Sequence, residues 1–383
     1  MKNNMLLLIG IMVALTLFFT STTLLYGMYK THQEKPDFST QILLPEKYMS
    51  LEPKRFEERV TLGAIGDILI HDIVYETAKT NSGYNFNPMF QFIQSTLKKP
   101  DIVLANQETI LGGSELGLSS YPCFNSPKEV GDALIHSGVD IVSTANNHAL
   151  DKGENGLLTS IAYLDQIKLP HVGTYESAKA HEEIKIMNKN GIKIAYLSYT
   201  YGTNGIPVPE GKDYLVNLID RDAMKKEIGK AKKAADLVVM SLHWGNEYQR
   251  VPSIEQKKLA KYLVNQGVDI IFGHHPHVLQ PMEWIQSKDG RKALVVYSLG
   301  NFLSGQVRDY KDIGGMVSLE VTKTVGKNGA NIMLNKVHFK PTYVSHINDS
   351  YYVVPLREAK KYGLSNASQK YKEIMNHMTS NLN

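Results

Sequence analysis

The amino-acid sequence predicts an α/β fold in which two mixed sheets pack face to face with helices outside, a four-layer α/β/β/α sandwich. Three observations support this prediction. Short apolar runs that each follow an aspartate recur along the chain, helix signals separate several of them, and hairpin signals accumulate in the second half. Runs of this length and composition are typical of strands buried on both faces. An apolar amino-terminal stretch adds a transmembrane helix to the prediction.

That amino-terminal stretch, residues 5–29, is uncharged and rich in Leu, Ile, Phe and Met. It is longer than the roughly 20 residues that cross a bilayer, so residues 1–30 are predicted to form a membrane anchor. A cleaved signal sequence is the alternative, although its apolar core is usually shorter. Positive charges flank both ends, and a single amino-terminal anchor usually leaves a large domain outside. We therefore predict a single-pass protein of the cell membrane with an extracytoplasmic soluble domain.

Beyond the anchor, the chain is predicted to divide into three parts. Residues 31–59 mix three prolines with charges and are expected to form an extracytoplasmic stalk. Residues 60–345 form the main domain, and residues 346–383 a carboxyl-terminal extension. The chain has 42 basic and 38 acidic residues, a balance too even to predict a polyanion-binding surface from charge alone. No nucleic-acid partner is expected.

The first predicted strand of the main domain runs from Val60 to Asp67. Four further runs begin with an aspartate and end in polar residues: 101–108, 140–148, 236–244 and 269–277. Open α/β sheets place their ligand sites at the carboxyl ends of the strands. The polar residues that end the five runs therefore predict one converging active site.

Two helices carry start and stop signals. Ser126-Pro-Lys-Glu129 is a predicted capping box with proline at the first helical position, and Gly138 ends that helix. Ser253-Ile-Glu-Gln256 repeats the capping box, and Gly267 terminates the helix. Each helix leads into an aspartate-initiated strand, which predicts parallel strands joined by right-handed crossovers.

The second half of the chain contains antiparallel signals. Turn residues at 188–191 and 288–290 separate pairs of apolar runs and predict two hairpins. The run at 315–322 is followed by another at 332–343. Two irregular loops, 112–117 and 201–209, are expected to border the site because loops of this kind often carry function.

The residues at the predicted strand ends combine imidazole, carboxylate and amide groups, a mixture typical of a hydrolytic two-metal centre. The predicted metal ligands are Asp67, Glu108, Asn147, His243, His274 and His277. His274 and His277, at the end of the fifth run, lie on a tight turn that bears a proline. Imidazole suits several divalent transition metals, and we predict Mn, Zn or Fe.

One histidine is predicted to act as a catalytic acid or base. His148 lies three residues before Asp151, whose carboxylate could hold its ring. Alternatively, His148 caps the helix that starts near Gly153. The remaining expected pocket residues are His71, Asn106, Asn146, Glu247 and Asn301. His71 is a weaker ligand candidate, Glu247 an orienting residue or substrate contact, and Asn301 either a pocket residue or an ordinary turn residue.

Taken together, six motifs between Val60 and Phe302 resemble those of the CapA family of capsule synthesis, or poly-γ-glutamate biosynthesis, proteins. The motifs are Gly66-Asp67-Ile, Asn106-Gln-Glu108, Ala145-Asn-Asn-His-Ala-Leu-Asp151, His243-Trp-Gly-Asn-Glu-Tyr248, Gly273-His-His-Pro-His-Val278 and Ser298-Leu-Gly-Asn-Phe302. This family is similar to the calcineurin-like metallophosphoesterases, whose four-layer fold the resemblance implies.

The resemblance also implies roles for particular residues. Asp67 matches the first metallophosphatase Asp, Asn147 and His148 the Asn-His pair, and His243 the fourth-motif His, with His274 and His277 as the closing pair. The sequence departs from the superfamily pattern at three points. Its Asp-x-His is extended to Asp67-Ile-Leu-Ile-His71, Glu108 stands in place of the bridging Asp, and the Gly-His-x-His motif contains one extra residue.

The function implied by the resemblance is that of a membrane-anchored, extracytoplasmic component of capsular poly-γ-glutamate biosynthesis and export. Its partners would be the membrane subunits of a poly-γ-glutamate synthase and the polyglutamate polymer. The alternative is a metal-dependent extracytoplasmic hydrolase that cleaves a phosphoester or a γ-glutamyl amide. A structural surface protein with remnant ligands is a third, blander possibility.

Overall fold

The computed structural model describes residues 2–33, 56–326 and 329–382. The chain forms two compact units, Met1–Lys54 and Arg55–Asn383. In the first, α1 (Lys2–Gln33) contains a stretch, Gly10–Lys30, that is long and apolar enough to cross a membrane. Residues 34–55 of the predicted stalk lie outside the described residues.

The second unit contains the remaining elements. Its strands are β1 (Phe56–Leu69), β2 (Lys79–Thr80), β3 (Gly83–Tyr84), β4 (Ile102–Gln107), β5 (Ile141–Ser143), β6 (His171–Val172), β7 (Lys185–Lys189), β8 (Ile192–Thr200), β9 (Leu237–His243), β10 (Ile270–His274), β11 (Leu279–Gln286), β12 (Lys292–Leu299), β13 (Asn301–Ser304), β14 (Ile313–Gly326), β15 (Gly329–Ile347) and β16 (Ser350–Pro355). Its helices are α2 (Asp72–Thr77), α3 (Asn87–Phe90), α4 (Gln94–Leu97), α5 (Glu129–Ser137), α6 (Gly153–Gln166), α7 (Ala178–Glu182), α8 (Arg221–Ala234), α9 (Ile254–Gln266) and α10 (Ala367–Thr379). Two 3₁₀ helices, Ser114–Leu116 and Leu356–Tyr362, complete the described elements.

The predicted four-layer sandwich is confirmed. One mixed sheet has the order β16-β15-β14-β1-β4-β5-β6, with β13 paired to β1, and the other has the order β11-β12-β10-β9-β8-β7. Alternate residues of both sheets meet in a shared core, to which β1, β4, β9 and β10 contribute. The opposite face of the first sheet packs on α2 to α6, and that of the second on α8 and α9.

The predicted strand directions are also observed. The strands β1, β4, β5 and β6 are parallel neighbours, as are β8, β9 and β10. The predicted hairpins are the antiparallel pairs β7–β8 and β11–β12, and β14 pairs antiparallel with β15. The carboxyl ends of the parallel strands therefore lie at one edge of each sheet, as the sequence predicts.

The repeated aspartates have a structural role that the sequence did not reveal. The backbone N–H of Asp140 donates to the carbonyl of Val103 on the neighbouring strand, and its carboxylate accepts from the N–H of the same residue, at 2.9 and 2.8 Å. The other three form the same paired contact, namely Asp101 with Thr61, Asp236 with Lys193, and Asp269 with Val238. Each aspartate thus fixes the register of its strand where the strand begins.

Helix capping agrees with the sequence at one helix and not at the other. The capping box of α9 is present, with Ser253 accepting from the Gln256 N–H and the Gln256 side chain accepting from the Ser253 N–H. The box predicted at Ser126 is wrong, because α5 begins at Glu129 and the Ser126 hydroxyl donates to Thr109 Oγ1 at 2.7 Å. A tertiary partner has replaced the local cap.

The carboxyl-terminal residues contribute to the same core as the sheets. Residues 350–355 form β16, which pairs with β15 at the edge of the first sheet. The 3₁₀ helix Leu356–Tyr362 and α10 follow, and their buried residues Ala359, Ile374 and Met378 pack into the core shared by both sheets. The stretch predicted as an extension therefore includes a strand and a packed helix.

The aspartate contacts predict a measurable loss of stability. We expect Asp140→Ala to lower the free energy of unfolding by about 1–3 kcal/mol, because the buried Val103 N–H loses the carboxylate oxygen that accepts its hydrogen bond. Asp140→Asn keeps an acceptor oxygen and should cost less. Urea denaturation of the full chain in neutral detergent measures the difference. The exposed Asp213→Ala is the control, and equal effects of Asp140→Ala and Asp213→Ala would contradict the assigned role.

Candidate metal centre

The carboxyl ends of four strands from the two sheets meet at one buried site. Asp67 lies in β1, opposite Asn106 of β4 on one side and Asn301 of β13 on the other. In the second sheet, His243 ends β9 and lies opposite His274, which ends β10. The pairing of neighbouring strands therefore places these five side chains at a common edge.

Two glycines permit the close approach of the chains behind the site. A Cβ on Gly66 would lie 1.9 Å from the carbonyl oxygen of Gly300, and one on Gly273 would lie 2.0 Å from that of Tyr297. Each glycine directly precedes a candidate ligand, Asp67 or His274. Any larger residue would force apart the backbone segments that bring the ligands together.

Both carboxylate oxygens of Asp67 have polar partners in the site. Its two carboxylate oxygens lie 3.3 Å from Nδ1 of His274 and 3.3 Å from Nδ1 of His277. The Asn106 amide donates to Asp67 Oδ1 at 2.9 Å, and the backbone N–H of His275 donates to Oδ2 at 3.3 Å. All five residues are buried. The carboxylate therefore links the two sheets across the site.

Glu108 lies just beyond β4 and faces the histidines of the second sheet. Its Oε1 is 3.5 Å from Nε2 of His243 and 3.7 Å from Nε2 of His277. Neither carboxylate oxygen accepts a hydrogen bond from the described residues, although both are buried. A buried carboxylate without a donor is costly to maintain, so this group calls for a positive partner.

The structure adds His275, which the sequence analysis did not select. Its ring lies 4.8 Å from that of His243 and 5.7 Å from that of His277, measured between centroids. The backbone of His275 has φ of 94° and that of His277 has φ of 58°, both in the left-handed region. This conformation is unfavourable for a residue with a Cβ and is typical of functional sites. The strained turn places both rings in the site.

A second group of polar residues borders the histidines. The amide oxygen of Asn147 lies 2.7 Å from Nε2 of His243, and its Nδ2 donates to Asn204 at 3.1 Å.

The His148 ring contacts the Asp151 carboxylate at 2.7 Å through Nδ1, and the Phe124 N–H donates to that carboxylate at 2.6 Å. The structure assigns the N-cap of α6 to Lys152, so the alternative that His148 caps this helix is wrong.

The remaining predicted pocket residues differ in what their side chains contact. The side-chain oxygen of Asn301 accepts from Nδ1 of His277 at 3.1 Å, and its amide nitrogen donates to Gln306 and to the Lys311 carbonyl in the following loop. Asn146 directs its amide to backbone groups alone. His71 Nδ1 accepts from the Gly305 N–H at 3.2 Å, so that nitrogen is occupied. Glu247 is exposed, and its carboxylate comes close to the ring nitrogens of two histidines.

The loop 201–209 borders the site as predicted. Besides Asn204, it contributes Tyr201, whose ring centroid lies 4.6 Å from that of His275. The ring centroid of Tyr248 lies 6.1 Å from that of His277, and the backbone of Tyr248 adopts a φ of 64°. Neither tyrosine was singled out from the sequence, because an aromatic residue in a loop gives no signal of its position in space.

Burial and neighbouring charge shift the pKa values of the two carboxylates, Asp67 and Glu108, in opposite directions. Burial alone would raise the pKa of Asp67, but hydrogen bonds and charge from His274 and His277 hold it well below its usual value. Burial raises the pKa of Glu108 well above its usual value, and His277 only partly offsets this. Burial acts to lower the pKa of His277, yet Glu108 and Asp67 raise it to about 9. Burial and the charge of His277 lower the pKa of His275 to about 3.

The donor set fits a divalent transition metal. Within the part of the chain that the structure describes, three groups of side chains have ligand atoms within 4.8 Å of one another: Glu108 with His243 and His275, Asp67 with Glu108 and His277, and Glu247 with His275 and His277. Nε2 of His274 and Nδ1 of His275 are buried without a hydrogen-bond partner among the described residues. Neutral imidazole and carboxylate are the ligands that Zn, Mn and Fe accept. Glu108 belongs to two groups and is placed to serve two adjacent ions.

Comparisons with known proteins identify relatives of the chain. A model of the family described as "Bacterial capsule synthesis protein PGA_cap" matches residues 61–306. Capsule biosynthesis protein CapA of Bacillus anthracis is 32% identical over 277 residues, which cover 70% of this chain and 64% of that protein. PGA biosynthesis protein CapA of Bacillus subtilis (strain 168) is 29% identical over 252 residues, 63% of this chain and 62% of that protein. The chain thus spans slightly less than two thirds of the length of either relative.

Among solved structures, the calcineurin-like phosphoesterase YfkN from Bacillus subtilis has 15% sequence identity and a TM-score of 0.46. The match covers 83% of this chain and 99% of that chain.

The site geometry predicts stoichiometric metal binding. We expect the full chain, reconstituted with Mn, Zn or Fe, to retain at least about one ion after desalting, and Glu108→Ala to weaken retention by about tenfold or more. The reason is that Glu108 belongs to two of the three ligand groups. Elemental analysis measures the metal content, and the exposed His338→Ala on β15 is the control. Equal retention by Glu108→Ala and His338→Ala would contradict the assignment.

Proposed function

Because the chain belongs to the bacterial capsule synthesis protein family PGA_cap, we propose that it is a membrane-anchored, extracytoplasmic component of capsular poly-γ-glutamate biosynthesis and export. The observation that carries this proposal is the extent of the family match. Residues 61–306 include β1 from residue 61 onward and all of β2 to β13, and therefore all the strand ends that form the candidate metal centre. The family thus shares the segment that builds the site.

The amino-terminal helix supports a position at the membrane. Gly10–Lys30 is long enough to span a bilayer, and its side chains are exposed. A domain tethered in this way is held near membrane partners at a high effective concentration. The proposed partners are the membrane subunits of a poly-γ-glutamate synthase and the emerging polymer.

The candidate metal centre supports a role in handling an anionic chain. Glu108, His243 and His275 would hold a divalent ion, Mn, Zn or Fe, and Asp67 with His277 would hold an adjacent one. Such an ion, when bound, supplies positive charge and Lewis acidity that orient an anionic group. The surrounding side chains of Asn147, Asn204 and Asn106 offer fixed amide groups, because each is held by a hydrogen bond.

Polymer output in cells tests the proposed function. In a strain that lacks its own copy, we expect the wild-type chain to restore capsular poly-γ-glutamate and His277→Ala to reduce the yield about tenfold or more, since the variant loses a ligand of the centre. Immunoblotting of the membrane fraction checks that the variant accumulates. His338→Ala serves as the matched control, and a normal yield with His277→Ala would show that the centre is not needed.

A second candidate function is metal-dependent hydrolysis of a phosphoester or a γ-glutamyl amide. The observation that favours it is the buried pair of His148 and Asp151 beside the histidines. Because Nδ1 faces the carboxylate, Nε2 is the ring nitrogen available to accept a proton from water or to donate one to a leaving group. Phe124 fixes the pair through its N–H and through its ring, 4.7 Å from that of His148.

Turnover by the purified full chain tests this second candidate. If it is correct, the chain loaded with Mn, Zn or Fe will hydrolyse bis(p-nitrophenyl) phosphate or poly-γ-glutamate, and His148→Ala will lower kcat about 10²–10⁴-fold because proton transfer is lost. Asp151→Asn should lower kcat with little change in KM. The absence of turnover by the metal-loaded wild type would reject the hydrolase and leave the role in polymer synthesis.

A further inference from the structure

The helices outside the second sheet carry concentrated positive charge. Together α8 and α9 contain nine basic and three acidic residues, a net charge of +6. The whole chain has a formal net charge of +4, so the remainder is at −2. The even overall balance therefore conceals a separation of charge between these two helices and the rest of the chain.

This charge is available at the surface. The side chains of Lys225, Lys257 and Lys258 are exposed, and no carboxylate of the described residues lies within ion-pair distance of their ammonium groups. One of the three acidic residues, Glu227, is buried and accepts from the Tyr199 hydroxyl behind α8. Only Asp222 and Glu255 remain as exposed acidic groups on the two helices.

The basic residues form a groove between the two helices, which we call the α8–α9 groove. Its volume is about 470 Å³, and its lining residues are Arg221, Ile254, Lys257, Lys258 and Lys261. The two helices are joined at this point, since the Tyr262 hydroxyl donates to the Arg221 carbonyl at 3.1 Å. Four cationic side chains line the groove and no acidic one does. This shallow, open surface therefore presents several cationic side chains to a single flexible polyanion.

The α8–α9 groove lies at the same end of the sheet as the candidate metal centre. The helix α9 begins shortly after β9 ends at His243, and its first two turns line the groove. A neighbouring pocket of about 210 Å³ is lined by Glu255 and Leu259 of α9, by Trp244 and by Tyr201. Tyr201 in turn contacts His275 with its ring. Tyr201 therefore lines a pocket beside α9 and also contacts a histidine of the candidate metal centre.

We propose that the α8–α9 groove binds the poly-γ-glutamate chain and directs it toward the candidate metal centre. This inference rests on the proposed function and names the surface that the polymer occupies. Each γ-linked residue carries a free carboxylate, so a chain lying in the groove meets several ammonium or guanidinium groups at once. Contacts of this type gain strength from their number and weaken steeply with salt.

Binding of labelled poly-γ-glutamate oligomers tests the proposal. The full chain in nanodiscs of zwitterionic lipid is titrated by fluorescence anisotropy at several salt concentrations. We expect Lys257→Glu/Lys258→Glu to weaken binding by about tenfold or more and to flatten its salt dependence, since favourable contacts become repulsive. Lys360→Glu/Lys361→Glu, on the exposed side of a 3₁₀ helix, makes the same charge change away from the groove and should alter binding less than about twofold.

The outcomes separate this inference from the proposed function. If the two double variants bind the polymer equally and have matching thermal unfolding midpoints, the polymer does not bind at the α8–α9 groove. That result leaves the proposed function intact. Capture of phosphatidylglycerol vesicles that depends on Lys257 and Lys258, without polymer binding, also overturns it, because the groove would then be a lipid surface. The proposed function is overturned by a different result, an unchanged capsule yield in cells that lack the chain.

Discussion

The withdrawal of two carboxylates from water is the constraint on which the site depends. Asp67 and Glu108 are buried where the two sheets meet, and burying a charge costs several kcal/mol unless it is compensated. Histidines and an asparagine compensate Asp67, whereas Glu108 has no hydrogen-bond donor among the described residues. A divalent ion is the partner that would complete this arrangement. Among the histidines around Glu108, His277 also contacts Asp67, and Nδ1 of His275 has no hydrogen-bond partner among the described residues.

The fold supplies the register that this convergence requires. Four aspartates pair with the backbone of the preceding strand, and two glycines let the chains approach behind the ligands. The strained turn that contains His275 and His277 then directs two rings inward. The first helical turns of α8 and α9 follow the carboxyl ends of β8 and β9, so they lie at the same edge of the second sheet as His243 and His274. The local backbone and the global topology therefore serve the same site.

The sequence predicted the features that depend on neighbouring residues. Apolar runs with an initial aspartate became parallel strands, and their polar ends met at one edge. It could not predict the features that depend on distant contacts. His275 was not selected because its position follows from a left-handed turn, Ser126 gained a tertiary partner in Thr109, and Tyr201 entered the site from a loop. The basic groove was hidden because overall charge says nothing about where charges lie.

The most direct test of this account is the location of a bound metal. Crystals of the protein soaked with Mn²⁺ and measured for anomalous scattering would give its position without reference to activity. We expect a peak bounded by Glu108, His243 and His275, and binding of two ions gives a second peak between Glu108 and His277. A peak elsewhere on the chain, or no peak at saturating Mn²⁺ or Zn²⁺, would contradict the claim that these strand ends form a metal centre.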